Sequence, residues 1–348
     1  MKSNVIITIF LFLLTKVIND QSINESKFIK IGGIEQWITI KGEDSSKPVI
    51  LFLHGGPGST MSQYEDVIYR EWDKDFVLVN WDQRGAGKTY ARNAPKELSE
   101  DYLIENPLTI EQMTDDGIEV AEYLIKHLNT SKIILIGTSW GSVLGVNMAL
   151  KRPDLFYAYV GHSQLVNPSE DIIKAYNKVY NMAEEVNDQE ALNKLKQLGV
   201  PPYDSAKNVG QLSRILKKYE SENSVHAPET WWKLAPEYDN EIDAQYRYDG
   251  DDYSFINYVG DKKMGIKAMS DGINFMNDGL EFKIPVYLIH GAGDIMTTKE
   301  TAKEYFDQLK APKKEFFLIH GAAHGHNLAI VDAQYKIVKE KILPDIGM

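Results

Sequence analysis

The sequence contains no cysteine, which excludes disulfide bonds, zinc–thiolate sites, thiol nucleophiles and lipid attachment to cysteine. Positive charge is also scarce: 38 Lys and Arg against 50 Asp and Glu give the 348 residues a net charge of −12. Because phosphate binding needs a basic face, this balance argues against nucleic acid as a partner and against attraction to anionic lipids. Internal repeats and low-complexity tracts are absent, and 43% hydrophobic residues suffice for a globular core.

One apolar run lies at the N-terminus. Lys2, the apolar residues 5–14 and the polar residues 19–22 follow the pattern of a secretory signal peptide, and the run is too short to span a bilayer as a helix. We expect residues 1–21 to be a signal peptide and the protein to be exported, periplasmic or secreted, with no stable membrane partner. Because the small-x-small cleavage pattern is poor, a retained N-terminal anchor stays open, as does a buried N-terminal strand or helix.

Apolar runs alternate with helical patterns along most of the chain. Residues 28–31 and 34–40 alternate apolar and polar side chains around two glycines, which predicts a β-hairpin. Continuous apolar runs predict further strands at 48–53, 76–80, 132–136, 156–160, 285–289 and 315–319. Helical periodicity predicts helices at 109–128, 140–151, 298–309 and 326–342. This alternation predicts an α/β fold with a mostly parallel, twisted sheet and helices on both faces.

The alternation stops between residues 166 and 274, a stretch that is polar, helix-like and without an apolar strand. Because the stretch is too long for a loop, we expect a helical cap over the carboxyl edge of the sheet, where open α/β sheets bind ligands. The predicted organisation is a signal peptide at 1–21, a first core segment at 22–165, the cap at 166–274 and a second core segment at 275–348.

The segment GTSWG at 137–141 matches the pattern G-x-S-x-G between a predicted strand and a predicted helix. The pattern alone is weak, but a nucleophile elbow needs this strand–turn–helix context. The glycines allow a sharp turn that presents the hydroxyl of Ser139 to a cleft. We predict Ser139 as a nucleophile, the alternative being an ordinary strand-to-helix turn.

A nucleophilic serine needs a histidine base and an acid that orients it, and on this architecture the chain order is Ser, acid, His. His324 follows a small-residue loop beyond the last predicted strand, and we choose it as the base, with His326 as the alternative. Asp294 is the carboxylate immediately beyond the strand at 285–289, and we choose it as the acid. The alternative role for Asp294 is a turn residue that caps the next helix.

The tetrahedral intermediate of acyl transfer needs two backbone N–H donors. One donor is expected from Trp140, the residue after the nucleophile. The other is expected from the glycine-rich loop HGGPG at 54–58, from Gly56 first and Gly55 second.

Three motifs together resemble the proline iminopeptidase family of α/β-hydrolases: HGGPG at 54–58, NWDQRGAGK at 80–88 and GTSWG at 137–141. The resemblance covers roughly residues 34–161 and 284–343. It implies the α/β-hydrolase fold with an inserted helical cap, a Ser139–His324–Asp294 triad acting through an acyl-enzyme, and release of N-terminal residues, often proline, from short peptides. Thr138 departs from the family, which more often has glycine before the serine, and no stretch of the cap matches the family's acidic recognition residues.

A peptidase that acts at the N-terminus must bind a free ammonium, which needs a carboxylate partner when it is desolvated. The candidates for substrate binding in the cap are two tryptophans and the acidic residues nearest to them: Trp231, Trp232, Glu229, Glu237 and Asp239. The alternatives are an aromatic pair in the core and a solvated acidic surface.

Other functions stay open or are excluded on specific residues. The same triad could act on small-molecule esters, amides or lactones, since this fold hosts many substrates, and a non-enzymatic binding protein is a third hypothesis. Epoxide hydrolases and haloalkane dehalogenases use an aspartate where this chain has Ser139. No metal is expected at His320, His324 and His326, because no H-E-x-x-H motif accompanies them. No cofactor is expected, and the sequence leaves the oligomeric state open.

Overall fold

The computed structural model describes residues 22–347, so the predicted signal peptide at 1–21 lies outside the described residues. An eight-stranded sheet, with strand order β1-β2-β4-β3-β5-β6-β7-β8, lies at the centre. The strands are β1 (Ile23–Ile31), β2 (Ile34–Gly42), β3 (Val49–Leu53), β4 (Val77–Asp82), β5 (Ile133–Thr138), β6 (Phe156–His162), β7 (Val286–Gly291) and β8 (Lys314–Ile319). Strands β1, β2 and β4 pair antiparallel and all other neighbours pair parallel, which confirms the predicted mostly parallel sheet.

The edge hairpin and the central strands differ in how the sequence specifies them. The hairpin of β1 and β2 turns at Gly32 and Gly33, whose φ angles of 54° and 81° lie in the region that only glycine adopts freely. Every residue of β3 and β4 is buried, because helices cover both faces of the central strands. Burial on both faces explains why these strands read as continuous apolar runs.

Helices flank the sheet at the positions that the periodicity predicts, with ends that shift by a few residues. The helices are α1 (Glu65–Ile68), α2 (Gly87–Asn93), α3 (Glu100–Glu105), α4 (Ile110–His127), α5 (Trp140–Lys151), α6 (Pro168–Glu185), α7 (Gln189–Leu198), α8 (Ala206–Glu222), α9 (Glu241–Val259), α10 (Phe275–Asp278), α11 (Lys299–Gln308), α12 (Leu328–Lys336) and α13 (Leu343–Asp345), with a π-helical stretch at Ile337–Ile342. Thr109 caps α4 by accepting a hydrogen bond from the Gln112 N–H, as its spacing predicts.

Helices α6 to α9 lie between β6 and β7 in the chain, and this part of the described chain forms no strand beyond an isolated bridge between Asp261 and Ile266. Helices α6, α7 and α8 share an apolar cluster of their own, to which Ile295, from the loop after β7, also belongs. The inserted helices are therefore packed against the loop that follows β7. Within residues 22–347 no helix has both the length and the apolar character needed to cross a membrane.

Candidate active site

Ser139 occupies the sharp turn between β5 and α5. Its φ of 52° and ψ of −119° lie outside the regions that residues with a Cβ normally adopt, so the turn is strained. The flanking glycines are required by close backbone contacts: a Cβ on Gly141 would collide with the carbonyl oxygen of Leu53, and one on Gly137 with that of Gly141. The turn therefore holds the serine hydroxyl at the carboxyl edge of the sheet.

An unbroken chain of hydrogen bonds joins Ser139, His324 and Asp294. His324 Nε2 lies 2.9 Å from Ser139 Oγ, and His324 Nδ1 lies 3.1 Å from Asp294 Oδ2. Because a carboxylate can only accept here, Nδ1 carries the imidazole proton and Nε2 accepts from the serine hydroxyl. The sequence-predicted nucleophile, base and acid are therefore brought together in hydrogen-bonding order.

Asp294 is held by its own turn. The N–H groups of Met296 and Thr297 donate to Oδ1 at 3.0 and 2.9 Å, and the Thr297 hydroxyl donates to Oδ2 at 2.8 Å. Burial opposes ionisation, but the nearby His324 and these donors hold the pKa of Asp294 well below its ordinary value. Burial also opposes the charged form of His324 and so lowers its pKa. The Asp294 carboxylate outweighs this effect and raises the pKa of His324 above 6.5. The positive charge of the Lys217 ammonium lowers the pKa of His324.

His326, the alternative base, does not reach Ser139. Its ring packs edge-on against His162 with 4.9 Å between ring centroids, and its Nε2 lies 3.5 Å from the Tyr69 hydroxyl. Burial lowers the pKa of His326 to about 4. The imidazole is therefore neutral at physiological pH and packs beside the site.

The two expected oxyanion donors lie on either side of Ser139. Trp140 is the first residue of α5, so its N–H has no acceptor within the helix. Gly55 and Gly56 line a cavity with Ser139, and a Cβ on Gly55 would lie 3.3 Å from the Cβ of Ser139. The approach is tighter than most Cβ contacts, so glycine at position 55 lets the loop lie close to the nucleophile.

His54 and Gln83 fix the loop that carries these glycines. His54 Nε2 accepts from the Gln83 N–H at 3.2 Å, so Nδ1 donates to the Gly55 carbonyl at 2.8 Å, and burial lowers the pKa of His54 to about 4. Since the Gly55 carbonyl and the Gly56 N–H share one planar peptide and point in opposite directions, His54 sets the direction of the donor. The Gln83 side chain also bridges the His54 carbonyl and the indole N–H of Trp140, at 3.0 Å each.

The inner cavity begins at Gly56, Ser139 and His324 and extends under the inserted helices. It encloses about 220 Å³ and is lined mainly by apolar side chains of α6, α8 and α9. Asp171, on α6, lines it and is only 2% exposed. Its Oδ1 accepts from the Thr298 hydroxyl at 3.3 Å, while no donor among the described residues reaches the buried Oδ2. Burial raises the pKa of Asp171 to about 7.

His324 also lines two further openings. The outer cavity, of about 220 Å³, is lined by Gly55, Ser139, Lys217 and His324–His326 among others. The outer groove, of about 490 Å³, is lined by Lys217, Glu220, Glu229, Trp232 and His324–Asn327 among others. Ser139 therefore lines two cavities: the inner one under the cap, and the outer one, which shares Lys217 and His324–His326 with the outer groove.

Glu220 connects helix α8 to the Asp294 turn. Its side chain is 6% exposed, and its Oε1 accepts from the N–H groups of Ile295 and Met296 at 2.7 and 3.2 Å. Burial raises the pKa of Glu220 to about 7, although His324 acts in the opposite direction. Sequence reasoning missed Glu220 and Asp171. The sequence contains a weak indication that Asp171 is buried, because it lies four residues before Ala175 and so on the same face of the helix. It contains no such indication for Glu220.

Only some of the cap residues that the sequence predicts to bind substrate lie near Ser139. Glu229 and the half-exposed Trp232 line the outer groove beside His324. Trp231 does not line either cavity at Ser139, because it is 6% exposed and packs in an apolar cluster with β3 and α1. Glu237 and Asp239 are also absent from both linings, because the turn at Pro236–Tyr238 leaves their side chains exposed to solvent. The predicted placement of these three residues at the site is therefore wrong.

Within the described chain, no group of three or more His, Asp or Glu side chains is arranged to hold a metal ion.

Comparison with known proteins gives a consistent group of matches. A family model described as alpha/beta hydrolase fold matches residues 48–328. The chain is 29% identical over 306 residues to the "Probable aminopeptidase YbaC" of Bacillus subtilis (strain 168), an alignment that covers 87% of this chain and 92% of that protein. It is 24% identical over 316 residues to a proline iminopeptidase of Clostridioides difficile (strain 630), covering 90% and 94%.

Solved structures share the fold at lower identity. The crystal structure of VinJ aligns with a TM-score of 0.65 and 19% identity over 92% of this chain and 98% of that chain. The crystal structure of a Mycobacterium smegmatis proline iminopeptidase aligns with a TM-score of 0.58 and 14% identity over 93% and 95%. At these identities the likeness shows a shared fold alone.

Proposed function

Because the chain belongs to the alpha/beta hydrolase fold family, we propose that this hydrolase is a serine aminopeptidase that releases N-terminal residues from short peptides. The observation that carries the proposal is the hydrogen-bonded series from Asp294 through His324 to Ser139, on the turn where this fold carries its nucleophile. The names of the aminopeptidase and proline iminopeptidase relatives support a peptide substrate.

The proposed reaction follows from the geometry. Ser139 Oγ attacks the scissile carbonyl while His324 Nε2 takes its proton, and Asp294 stabilises the resulting imidazolium. The oxyanion accepts hydrogen bonds from the N–H groups of Gly56 and Trp140. His324 then gives its proton to the leaving amine, an acyl-enzyme forms on Ser139, and water attacks it with His324 again acting as base.

The inner cavity supports cleavage after a single residue. Its volume of about 220 Å³ is smaller than the roughly 300–1,000 Å³ of pockets for drug-sized ligands, and helices of the cap cover it. A free N-terminal ammonium in this cavity would lie beside Asp171, the buried acid of its lining, whose Oδ2 has no hydrogen-bond donor among the described residues. A buried carboxylate without a donor is costly, and an ammonium supplies both the missing hydrogen bond and the opposite charge. We therefore assign amine recognition to Asp171.

The proposed activity is tested with three kinds of substrate: aminoacyl anilides with a free amine, their N-acetylated counterparts and simple acyl esters. The aminopeptidase proposal expects the free-amine anilides to have the highest kcat/KM, with Ser139→Ala as the inactive control. Equal turnover of free and N-acetylated anilides would contradict amine recognition. The alternative, an esterase, amidase or lactonase with the same triad, would then take first place.

The Asp171 assignment is tested by Asp171→Asn, which keeps the shape of the side chain and removes the charge. We expect kcat/KM for free-amine anilides to fall by about 10- to 100-fold, while ester hydrolysis changes little. Glu237→Gln is the matched control, since this carboxylate is exposed and lies outside both cavities. An equal loss on esters would assign Asp171 a structural role only.

We also propose that the protein is exported, on the basis of Lys2 and the apolar run at 5–14. N-terminal sequencing of the protein from its native host is expected to give a mature chain that begins near residues 20–25. A chain that begins at Met1 in the cytoplasmic fraction would refute this proposal.

A further inference from the structure

The two sides of Ser139 differ in whether they offer a cation. The described lining of the inner cavity contains no lysine or arginine but two aspartates, Asp171 and Asp271. Among the described residues that line the outer cavity and the outer groove, Lys217 is the only lysine or arginine. A molecule that spans Ser139 therefore meets only acidic charged side chains at one end, and at the other end the ammonium of Lys217 together with Glu220 and Glu229.

Chemistry decides which end of a peptide lies on which side. His324 must deliver its proton to the leaving amine, so the leaving group has to lie within hydrogen-bonding reach of the imidazole. His324 lines all three openings, but the proposed ammonium site at Asp171 places the N-terminal residue in the inner cavity. The leaving residue therefore has to enter the outer cavity or the outer groove, both of which Lys217 also lines. Under the proposed function, the residue after the scissile bond consequently occupies the region beside Lys217.

Lys217 is available to a ligand. Its side chain is exposed on α8, and its Nζ takes part in none of the ion pairs or hydrogen bonds of the described residues. The neighbouring Lys218 differs, because its Nζ forms an ion pair with Asp188 at 2.9 Å and it lines neither opening at Ser139. Of the two acids in the outer groove, Glu220 is already engaged by backbone N–H groups, and Glu229 lies towards Trp232.

We infer that Lys217 binds the C-terminal carboxylate of a dipeptide, so that the preferred substrates are dipeptides with both termini free. This inference rests on the proposed aminopeptidase activity and adds to it the length of the substrate. A dipeptide zwitterion has its ammonium and its carboxylate on opposite sides of the scissile bond, which matches Asp171 in the inner cavity and Lys217 beside the outer one. The carboxylate binds in the ground state and does not change during the reaction, so its effect falls on KM more than on kcat.

The test compares one dipeptide with its C-terminal amide and with the anilide of its first residue, in wild type and variants. Wild type is expected to prefer the free acid over the amide, and the preference is expected to shrink as salt is raised. Lys217→Gln should raise KM for the free acid by about three- to tenfold and leave the amide and the anilide unchanged. Lys217→Glu should reverse the preference, and Lys218→Gln, one residue away on the same helix, should change nothing.

The outcomes separate this inference from the proposed function. If wild type cleaves the anilide and the amide as well as the free acid, Lys217 has no carboxylate to bind and the inference is refuted while the aminopeptidase stands. If Lys217→Gln weakens all three substrates equally, its role is structural and the inference is again refuted. If no free-amine substrate is cleaved, the aminopeptidase fails and the inference fails with it.

Discussion

Replacing Asp171 with asparagine is expected to make the protein more stable at alkaline pH, in addition to its effect on activity. Asp171 is 2% exposed, and its pKa is raised from 3.8 to about 7. A raised pKa means that the folded protein holds this proton more tightly than the unfolded chain does. Stability is therefore lost as the pH rises from about 4 to about 7, and above that range the full cost of the buried charge remains.

The magnitude follows from the size of the shift. About three pKa units at about 1.4 kcal/mol each give at most about 4 kcal/mol at pH 8. Asparagine carries no charge and can still accept the hydrogen bond from Thr298. The gain in the free energy of unfolding should therefore be largest at pH 8, fall to about 1–2 kcal/mol at pH 5 and vanish near pH 4.

Urea unfolding of wild type and Asp171→Asn at these three pH values measures the difference directly. Other titrating groups are common to both proteins and cancel in the comparison. Asp271→Asn is the matched control, because Asp271 lines the same cavity but is exposed, and it should give no gain. A variant that is no more stable than wild type at pH 8, or a gain that is the same at every pH, would show that Asp171 is not a buried, destabilising charge.

Three further predictions concern the triad and its support. Ser139→Ala and His324→Ala should each lower turnover by about 10⁴- to 10⁶-fold with the circular dichroism spectrum unchanged, whereas His326→Ala should retain activity. If His326→Ala were inactive and His324→Ala active, the base would be His326. With an ester that has no amine, kcat/KM should fall as the pH drops, with a midpoint above the ordinary 6.5 because the pKa of His324 is raised, and a midpoint below that value would contradict the charge on its partner. Gly141→Ala should abolish soluble expression or lower the melting temperature strongly, because the new Cβ collides with the Leu53 carbonyl, and a variant of normal stability would exclude that close contact.

The sequence predicted what depends on residues close together in the chain. Continuous apolar runs located the central strands, because burial on both faces leaves no polar alternation. The elbow at Ser139 could be identified because its glycines, strand and helix are contiguous. The last long helix begins at Leu328 and not at 326, since Asn327 takes the capping position and accepts from the Ile330 N–H.

What the sequence could not predict depends on contacts between distant segments. Asp171 meets Thr298, and Glu220 meets Ile295, only after the helices between β6 and β7 have packed. Residues adjacent in the chain can also lie in different environments. Trp231 is 6% exposed because it packs against the sheet, whereas Trp232 is 50% exposed and faces the outer groove. Choosing cap carboxylates by their nearness to these tryptophans in the chain therefore found Glu229 in the outer groove but also selected Glu237 and Asp239, which line neither cavity at Ser139.

The position of Ile295 limits how this enzyme could be re-engineered or recombined. Ile295 directly follows Asp294 but is packed in the apolar cluster of α6, α7 and α8, and its N–H donates to Glu220 of α8. A chimaera that exchanged only the segment between β6 and β7 for that of another hydrolase would leave this isoleucine without its packing partners and its N–H without an acceptor. A chimaera that folds would have to exchange residues 294–298 together with the helices. The acid of the triad and the cap therefore have to be exchanged as one unit.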